Sequence, residues 1–130
     1  LHGLFLLKFN AWMDRHLTTN KDAEDMSFIL DNYLMANLDR EAYMEVYDWE
    51  DFDEYVAGGY WLANDLAKLL NRDQLVYYAD KIDEELQLEE RSYLISQTLN
   101  SQSGLNYDQV RRTWQVISEV FRSATEERNL

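Results

Sequence analysis

The 130 residues, of which 46% are hydrophobic, hold enough apolar material for one compact core and too little for a second domain. With no proline, no cysteine and only four glycines, the chain lacks the turns of hairpin-rich sheets and cannot form disulfides or thiolate metal sites, so we expect an all-α protein of the cytoplasm. The net charge of −13 argues against direct nucleic-acid binding, because phosphate backbones are bound by clustered Lys and Arg.

Two helices joined by a polar turn are predicted at the start of the chain, at residues 4–16 and at about 21–36. The first is apolar nearly all round, which is typical of a buried helix. Lys8 interrupts it and no cleavage site follows, so we interpret it neither as a signal peptide nor as a segment long enough to span a bilayer. Thr19 or Asn20 is expected to cap the second helix by accepting hydrogen bonds from its free amides.

The next elements continue the helical periodicity. Helices are predicted at residues 40–48, 52–70, 73–86 and 89–100. Gly58 and Gly59 lie inside the 52–70 helix, where each costs about 1 kcal/mol relative to Ala. We therefore expect either the close approach of another helix or a local break at this point.

A last amphipathic helix is predicted after Asn106 and Gln109, which resemble a reciprocal capping pair. Residues 123–130 are expected to fray. No internal repeat or linker divides the chain. The sequence thus predicts one all-α domain over residues 1–130, folded as a compact bundle of about six or seven helices.

Two segments carry most of the negative charge. Residues 39–54 hold eight acids and one base, and residues 80–90 hold six acids and one base, so they supply −7 and −5 of the total. Such runs usually form a solvated face, although a basic partner or a neighbouring domain can dock there. The aromatic side chains of residues 39–61 are expected mainly in the core, with a binding surface rimmed by acids as the alternative.

Four charged residues near the first turn suggest a polyphosphate site. Lys8 and Arg15 are seven apart, so they project from one helix face about 10 Å apart along the axis. Asp22 and Asp25 are three apart and share a face of the next helix. The turn can bring these faces together, and two cations beside two carboxylates suit a metal and polyphosphate site.

Structural alternatives exist for each of these residues. The stem of Lys8 can pack in the apolar helix while its ammonium reaches the surface. Acids in a first turn, such as Asp22 and Asp25, are stabilised by the helix dipole. Arg15 is expected mainly as an ion-pair partner of Asp14, Asp22 or Asp25. The two histidines have no metal-ligand companions in the sequence, so no metal site is predicted within this chain.

The segments "LLKFNAWMDR" and "KDAEDMSFIL" resemble the later conserved region of bacterial AbiEii-type nucleotidyltransferases, a family that includes abortive-infection and toxin components. The resemblance extends over about residues 3–35, and "AGGYWLANDLAKLL" at 57–70 is a weaker echo. It implies a palm of the DNA polymerase β kind joined to a helical C-terminal part. This chain would be that helical part, with the palm as its missing N-terminal partner and an antitoxin as a further partner.

The resemblance also implies roles for individual residues. Lys8, with Arg15 and Lys21, would bind the substrate phosphates, and Asp25, with Asp22 beside it, would serve catalysis. Mg²⁺ and the nucleoside triphosphate belong to the full-length parent, whose metal-binding Gly-Ser and D-x-D motif is expected upstream. The string "DFD" at 51–53 lacks a preceding Gly-Ser and lies in a run expected to be helical, so it is not interpreted as that motif. The chain alone is expected to be inactive.

Two functions therefore remain open. The first is the helical part of a nucleotidyltransferase, which the helical start at Leu1 without a Met favours. The second is a self-standing acidic interaction module, such as an antitoxin or an immunity protein. In the first case the first helix would lack its cover, and self-association is expected through its exposed apolar flank, by Leu4, Phe5, Leu7 or Phe9.

Overall fold

A computed structural model describes residues 1–128 and shows an all-helical bundle with no strand in that range. Its six α-helices are α1 (His2–Arg15), α2 (Lys21–Ala36), α3 (Glu54–Ala67), α4 (Arg72–Gln87), α5 (Tyr93–Leu99) and α6 (Tyr107–Glu127). Two short 3-10 helices, Met44–Asp48 and Glu89–Arg91, precede α3 and α5. The predicted fold class is confirmed. None of the helices within 1–128 combines the length and apolar composition needed to cross a membrane.

Helix α6 occupies the centre of the bundle. It packs along both α3 and α4, while α2 covers the other side of α3 and α1 packs on α2. The fully buried indole of Trp114 on α6 meets the rings of Phe5 and Phe9 on α1, at centroid distances of 5.8 and 5.6 Å. One continuous core therefore joins the first helix to the last.

The two central glycines mark the tightest helix contacts. A Cβ on Gly58 would lie 2.5 Å from the carbonyl oxygen of Leu30 in α2, and a Cβ on Gly59 would lie 2.7 Å from the Cγ2 of Thr113 in α6. Helix α3 is unbroken at both positions. Of the two expectations at this point, close approach is confirmed, because α3 is clamped between α2 and α6.

Several predicted boundaries were wrong. The helix expected at 40–48 is only the 3-10 turn Met44–Asp48, and α3 begins at Glu54 because the Asp53 side chain caps it, accepting from the Val56 amide. The helix expected at 89–100 begins at Tyr93, where the Ser92 hydroxyl accepts from the Ile95 amide. A side-chain oxygen thus sets each start.

The cap of α2 and the C-terminal end of α6 also differ from expectation. Asn20 is the N-cap of α2, but its side chain makes no capping bond, and the Thr19 hydroxyl accepts from the Lys21 amide at 3.1 Å. The fraying expected from residue 123 is wrong for residues 123–127, which are helical. The Arg128 guanidinium donates to the carbonyls of Ala67 and Leu70, which ties this end to α3. Residues 129–130 lie outside the described residues.

Candidate functional site: the charged cluster of the first two helices

The hairpin of α1 and α2 brings all five predicted site residues together. We call Lys8, Arg15, Lys21, Asp22 and Asp25 the charged cluster. Lys8 Nζ lies 2.8 Å from Asp25 Oδ2, and Arg15 Nε lies 2.7 Å from Asp22 Oδ2. The two helix faces therefore meet as their spacing predicted. With three cations and two carboxylates, the charged cluster has a net charge of +1 in a chain whose total is −13.

Asp22 is buried and fully occupied. Its residue is 0% exposed, and its two carboxylate oxygens accept from Arg15 Nε and Nη2 at 2.7 and 2.8 Å. The hydrogen bonds from Arg15 hold the pKa of Asp22 below its ordinary value. Both oxygens are in use, so this carboxylate fixes the hairpin geometry. Arg15 is an ion-pair partner of Asp22, as its structural alternative predicted.

Asp25 collects two ammonium groups. Lys8 approaches it from α1, and Lys21 approaches from one turn earlier in α2. Burial alone would raise the pKa of Asp25, but hydrogen bonds from Lys21 and Lys8 outweigh it and lower the pKa. The side chains of Lys8 and Asp25 are 28% and 24% exposed. This end of the charged cluster is therefore ionised and partly exposed to solvent, whereas Asp22 is ionised but buried.

Exposed apolar side chains border the open end. Leu4 and Leu7 on α1 are 46% and 67% exposed, and Phe28 on α2 is 66% exposed. We call these three residues the apolar margin. Leu4 precedes Lys8 by one turn and Phe28 follows Asp25 by one turn, so helical spacing places the margin beside the ion pair. Of the residues expected to drive self-association, Phe5 and Phe9 were wrong, because both are 2% exposed core residues.

The D-x-D string is not the helical element that the sequence suggested. Asp51 lies in a turn, and Asp53 is the extended N-cap residue of α3. Asp53 caps α3 and also accepts from Gln109 Nε2 at 2.8 Å. Among residues 1–128 no group of three or more His, Asp or Glu side chains is arranged to hold a metal ion. His16 stacks on the Trp12 ring at 4.4 Å between centroids.

Sequence reasoning missed one half-buried ion pair, between Arg40 and Asp65. Arg40 donates to both oxygens of Asp65 at 2.6 and 3.0 Å, and the Tyr33 hydroxyl donates to the same carboxylate. The Arg40 guanidinium lies 5.0 Å from the Trp61 ring centroid. Arg40 is the only base of residues 39–54. A single base in an acidic run was the sequence feature that could have indicated an ion pair. It anchors that segment to α3.

A groove lies beside some of the aromatic residues that were weighed as a binding surface, and its α6 wall was not predicted. It encloses about 570 Å³ beside the seam of α3 and α6. We call it the aromatic groove and define it by the residues that line its walls: Tyr43, Trp49 and Tyr60 on one side and Val116, Val120 and Ala124 on the other. The aromatic content of 39–61 therefore divides between the two alternatives. Tyr55 and Trp61 are core residues, whereas these three rings are only partly buried.

Comparisons with family models, with curated proteins and with solved structures found no match to this chain. The AbiEii assignment therefore depends on the quoted sequence segments and on the geometry of the charged cluster. It stays a prediction.

Proposed function

We propose that this chain is the helical part of a bacterial nucleotidyltransferase of the AbiEii type and that the open end of its charged cluster forms one wall of the nucleotide site. The observation that carries the proposal is the cluster itself. It is a partly exposed, net positive group in a strongly acidic chain, and an exposed apolar margin borders it. An anionic ligand would bind the positive group, and a covering domain would bury the apolar margin.

The lysines have donors to spare. Lys8 and Lys21 converge on the single carboxylate of Asp25, and each ammonium carries three N–H donors. A phosphate oxygen placed at the exposed side of the pair would accept from the donors that Asp25 does not use. Asp25 would then hold both ammonium groups in position, and Asp22 with Arg15 would be positioning residues for the hairpin.

Magnesium does not fit the carboxylates of the charged cluster. Mg²⁺ takes oxygen ligands with room for several waters. Both oxygens of Asp22 accept from Arg15, and those of Asp25 face Lys8 and Lys21. The metal that the resemblance implies would therefore be bound by the palm, and no step at this cluster involves it.

The apolar margin would receive the palm. Covering these exposed leucine and phenylalanine side chains with another domain lowers the free energy of the assembly, because apolar surface is removed from water. In that arrangement the palm would close over Lys8 and Asp25, and this chain alone would not catalyse transfer. An antitoxin partner and a cytoplasmic location are part of the same proposal.

Nucleotide transfer by the protein that the gene encodes tests this function. Wild-type protein is expected to transfer label from a nucleoside triphosphate to an acceptor. Lys8→Met should lower the rate by about a hundredfold or more, because a preorganised charge beside a developing anion is removed. Lys81→Met is the control, since Lys81 lies on α4 and pairs with Glu84. Undiminished transfer by Lys8→Met, or no transfer by the wild type, would contradict the proposal.

A second candidate, the self-standing acidic interaction module, is favoured by the free carboxylates of residues 39–54. Of the eight, only Glu45 and Asp53 accept hydrogen bonds from described residues, which leaves six. The gene decides between the candidates. An upstream strand with Gly-Ser and D-x-D supports the transferase, and a start codon directly before Leu1 supports the module.

A further inference from the structure

The aromatic groove lies away from the charged cluster, and its α6 wall carries a row of small apolar side chains. Val116, Val120 and Ala124 follow one another at every fourth position of α6, so they line about 12 Å of groove, or two helical turns. Its volume of about 570 Å³ is within the range of ligand clefts. Two apolar side chains placed one turn apart on another helix would fit this length.

The aromatic wall of the groove, formed by Tyr43, Trp49 and Tyr60, is held in place by contacts within the chain. Tyr43 has a left-handed backbone with φ of 60°, and its carbonyl accepts from the Trp61 indole at 2.8 Å. The Tyr60 hydroxyl donates to Glu45 at 2.6 Å, and its ring meets that of Trp49 edge to face at 5.3 Å. Burial, followed by the hydrogen bond to Glu45, raises the pKa of Tyr60 to about 12, so its hydroxyl keeps its proton.

The negative charge near the groove comes from the segment beside it, because in the lining itself Glu119 and Glu127 are balanced by Lys68 and Arg128. Tyr43 and Trp49 belong to residues 39–54, whose net charge is −7, and Glu119 and Glu127 line the α6 side. The two cations that line the groove already have partners in the chain. Lys68 lies 5.1 Å from the Tyr43 ring centroid, and Arg128 donates to backbone carbonyls of α3 and the turn after it.

We infer that the aromatic groove binds a basic amphipathic helix of a partner protein. The apolar face of that helix would enter between the aromatic wall and α6. Its Lys and Arg side chains would reach Glu119, Glu127 and the free carboxylates of Asp48 and Glu50. Electrostatic complementarity selects the sign of the partner, and the shape of the groove selects a helix. The inference does not depend on the nucleotidyltransferase proposal, because none of these residues belongs to the charged cluster.

A designed peptide tests the inference. The probe is an 18-residue helical peptide with leucines on one face and lysines and arginines on the other. Two matched peptides are a scrambled sequence of the same composition and a version with glutamate in place of every base. Intrinsic tryptophan fluorescence reports binding near Trp49, because Trp12, Trp61 and Trp114 are 3% exposed or less.

Saturable binding of the basic amphipathic peptide is expected, with at least tenfold weaker binding of both matched peptides. The double variant Glu119→Lys with Glu127→Lys should weaken binding about tenfold or more, since rim charges are reversed. Ala124→Leu should weaken it by filling the groove. Glu90→Lys, outside the groove, is the control and should bind as the wild type does. Equal binding of the scrambled peptide, equal loss with Glu90→Lys, or no binding of the basic peptide would overturn the inference.

Discussion

At the scale of single residues, Lys8 decides how the charged cluster contributes to stability. It is paired with Asp25 at 2.8 Å, and both side chains are half-buried. Lys8→Met keeps the stem but leaves Asp25 with Lys21 alone. We expect the free energy of unfolding to fall by about 1 kcal/mol, which is near the low end of the cost of leaving a buried polar group without its partner. Urea denaturation measures it, with Lys81→Met as control. A variant as stable as the wild type would show that the pair is not needed for folding.

Asp22 should give the hairpin a dependence on pH. Hydrogen bonds from Arg15 lower the pKa of Asp22 in the folded chain, so the pair contributes stability above the unfolded pKa of a carboxyl. That contribution is lost as the pH falls through the lowered folded pKa. The difference in unfolding free energy between wild type and Asp22→Asn should therefore be constant above about pH 5 and narrow below about pH 4. A difference that stays constant down to pH 2 would contradict the assignment.

At the scale of elements, Gly58 shows how closely α3 and α2 pack. Gly58→Ala would place a Cβ 2.5 Å from the backbone oxygen of Leu30, which cannot move without its helix. We expect it to lower the free energy of unfolding by roughly 1–3 kcal/mol, as overpacking does. Gly3→Ala is the matched control, because nothing lies within 4 Å of its added Cβ. It should raise stability by up to about 1 kcal/mol through helix propensity. Thermal melting of both variants measures the contrast.

The helices that the sequence predicted well are those with a local signal. The bounds of α2 were predicted as 21–36 and are Lys21–Ala36, and the capping pair of Asn106 and Gln109 forms both of its hydrogen bonds. The approach of Arg15 to Asp22 also followed from spacing along two adjacent helices. Local periodicity and capping chemistry were sufficient in these cases.

Residues 40–53 were predicted poorly because distant contacts fix them. The left-handed Tyr43 is held by the indole of Trp61, and Asp53 is held by the α3 amide of Val56 and the α6 side chain of Gln109. No pattern within the segment encodes these partners. The α6 wall of the aromatic groove was missed for the same reason, because the groove is lined by three segments that meet only in the folded chain.

At the scale of the whole molecule, the charge is divided between surfaces. Residues 39–54 and 80–90 account for −12 of the −13, so the rest of the chain, which includes the α1–α2 hairpin, carries −1. The hairpin itself holds five acids and three bases, a net charge of −2, which is small beside those of the two acidic segments. The apolar margin lies on this hairpin. Contact between copies through this face meets less repulsion than contact through the two acidic segments, and it covers exposed apolar surface.

We therefore expect the chain by itself to self-associate through the apolar margin. Salt should strengthen the association, because it screens the repulsion between chains of charge −13 and leaves the apolar contact intact. Sedimentation at high micromolar concentration should show dimers in about 0.5 M salt, where the screening length is only a few ångströms. Leu7→Glu should return the chain to a monomer, because Leu7 is 67% exposed within the margin. Tyr77→Glu, at a 49% exposed position on α4, should leave the dimer intact. A strict monomer in high salt, or equal dissociation by Tyr77→Glu, would show that this face does not mediate association.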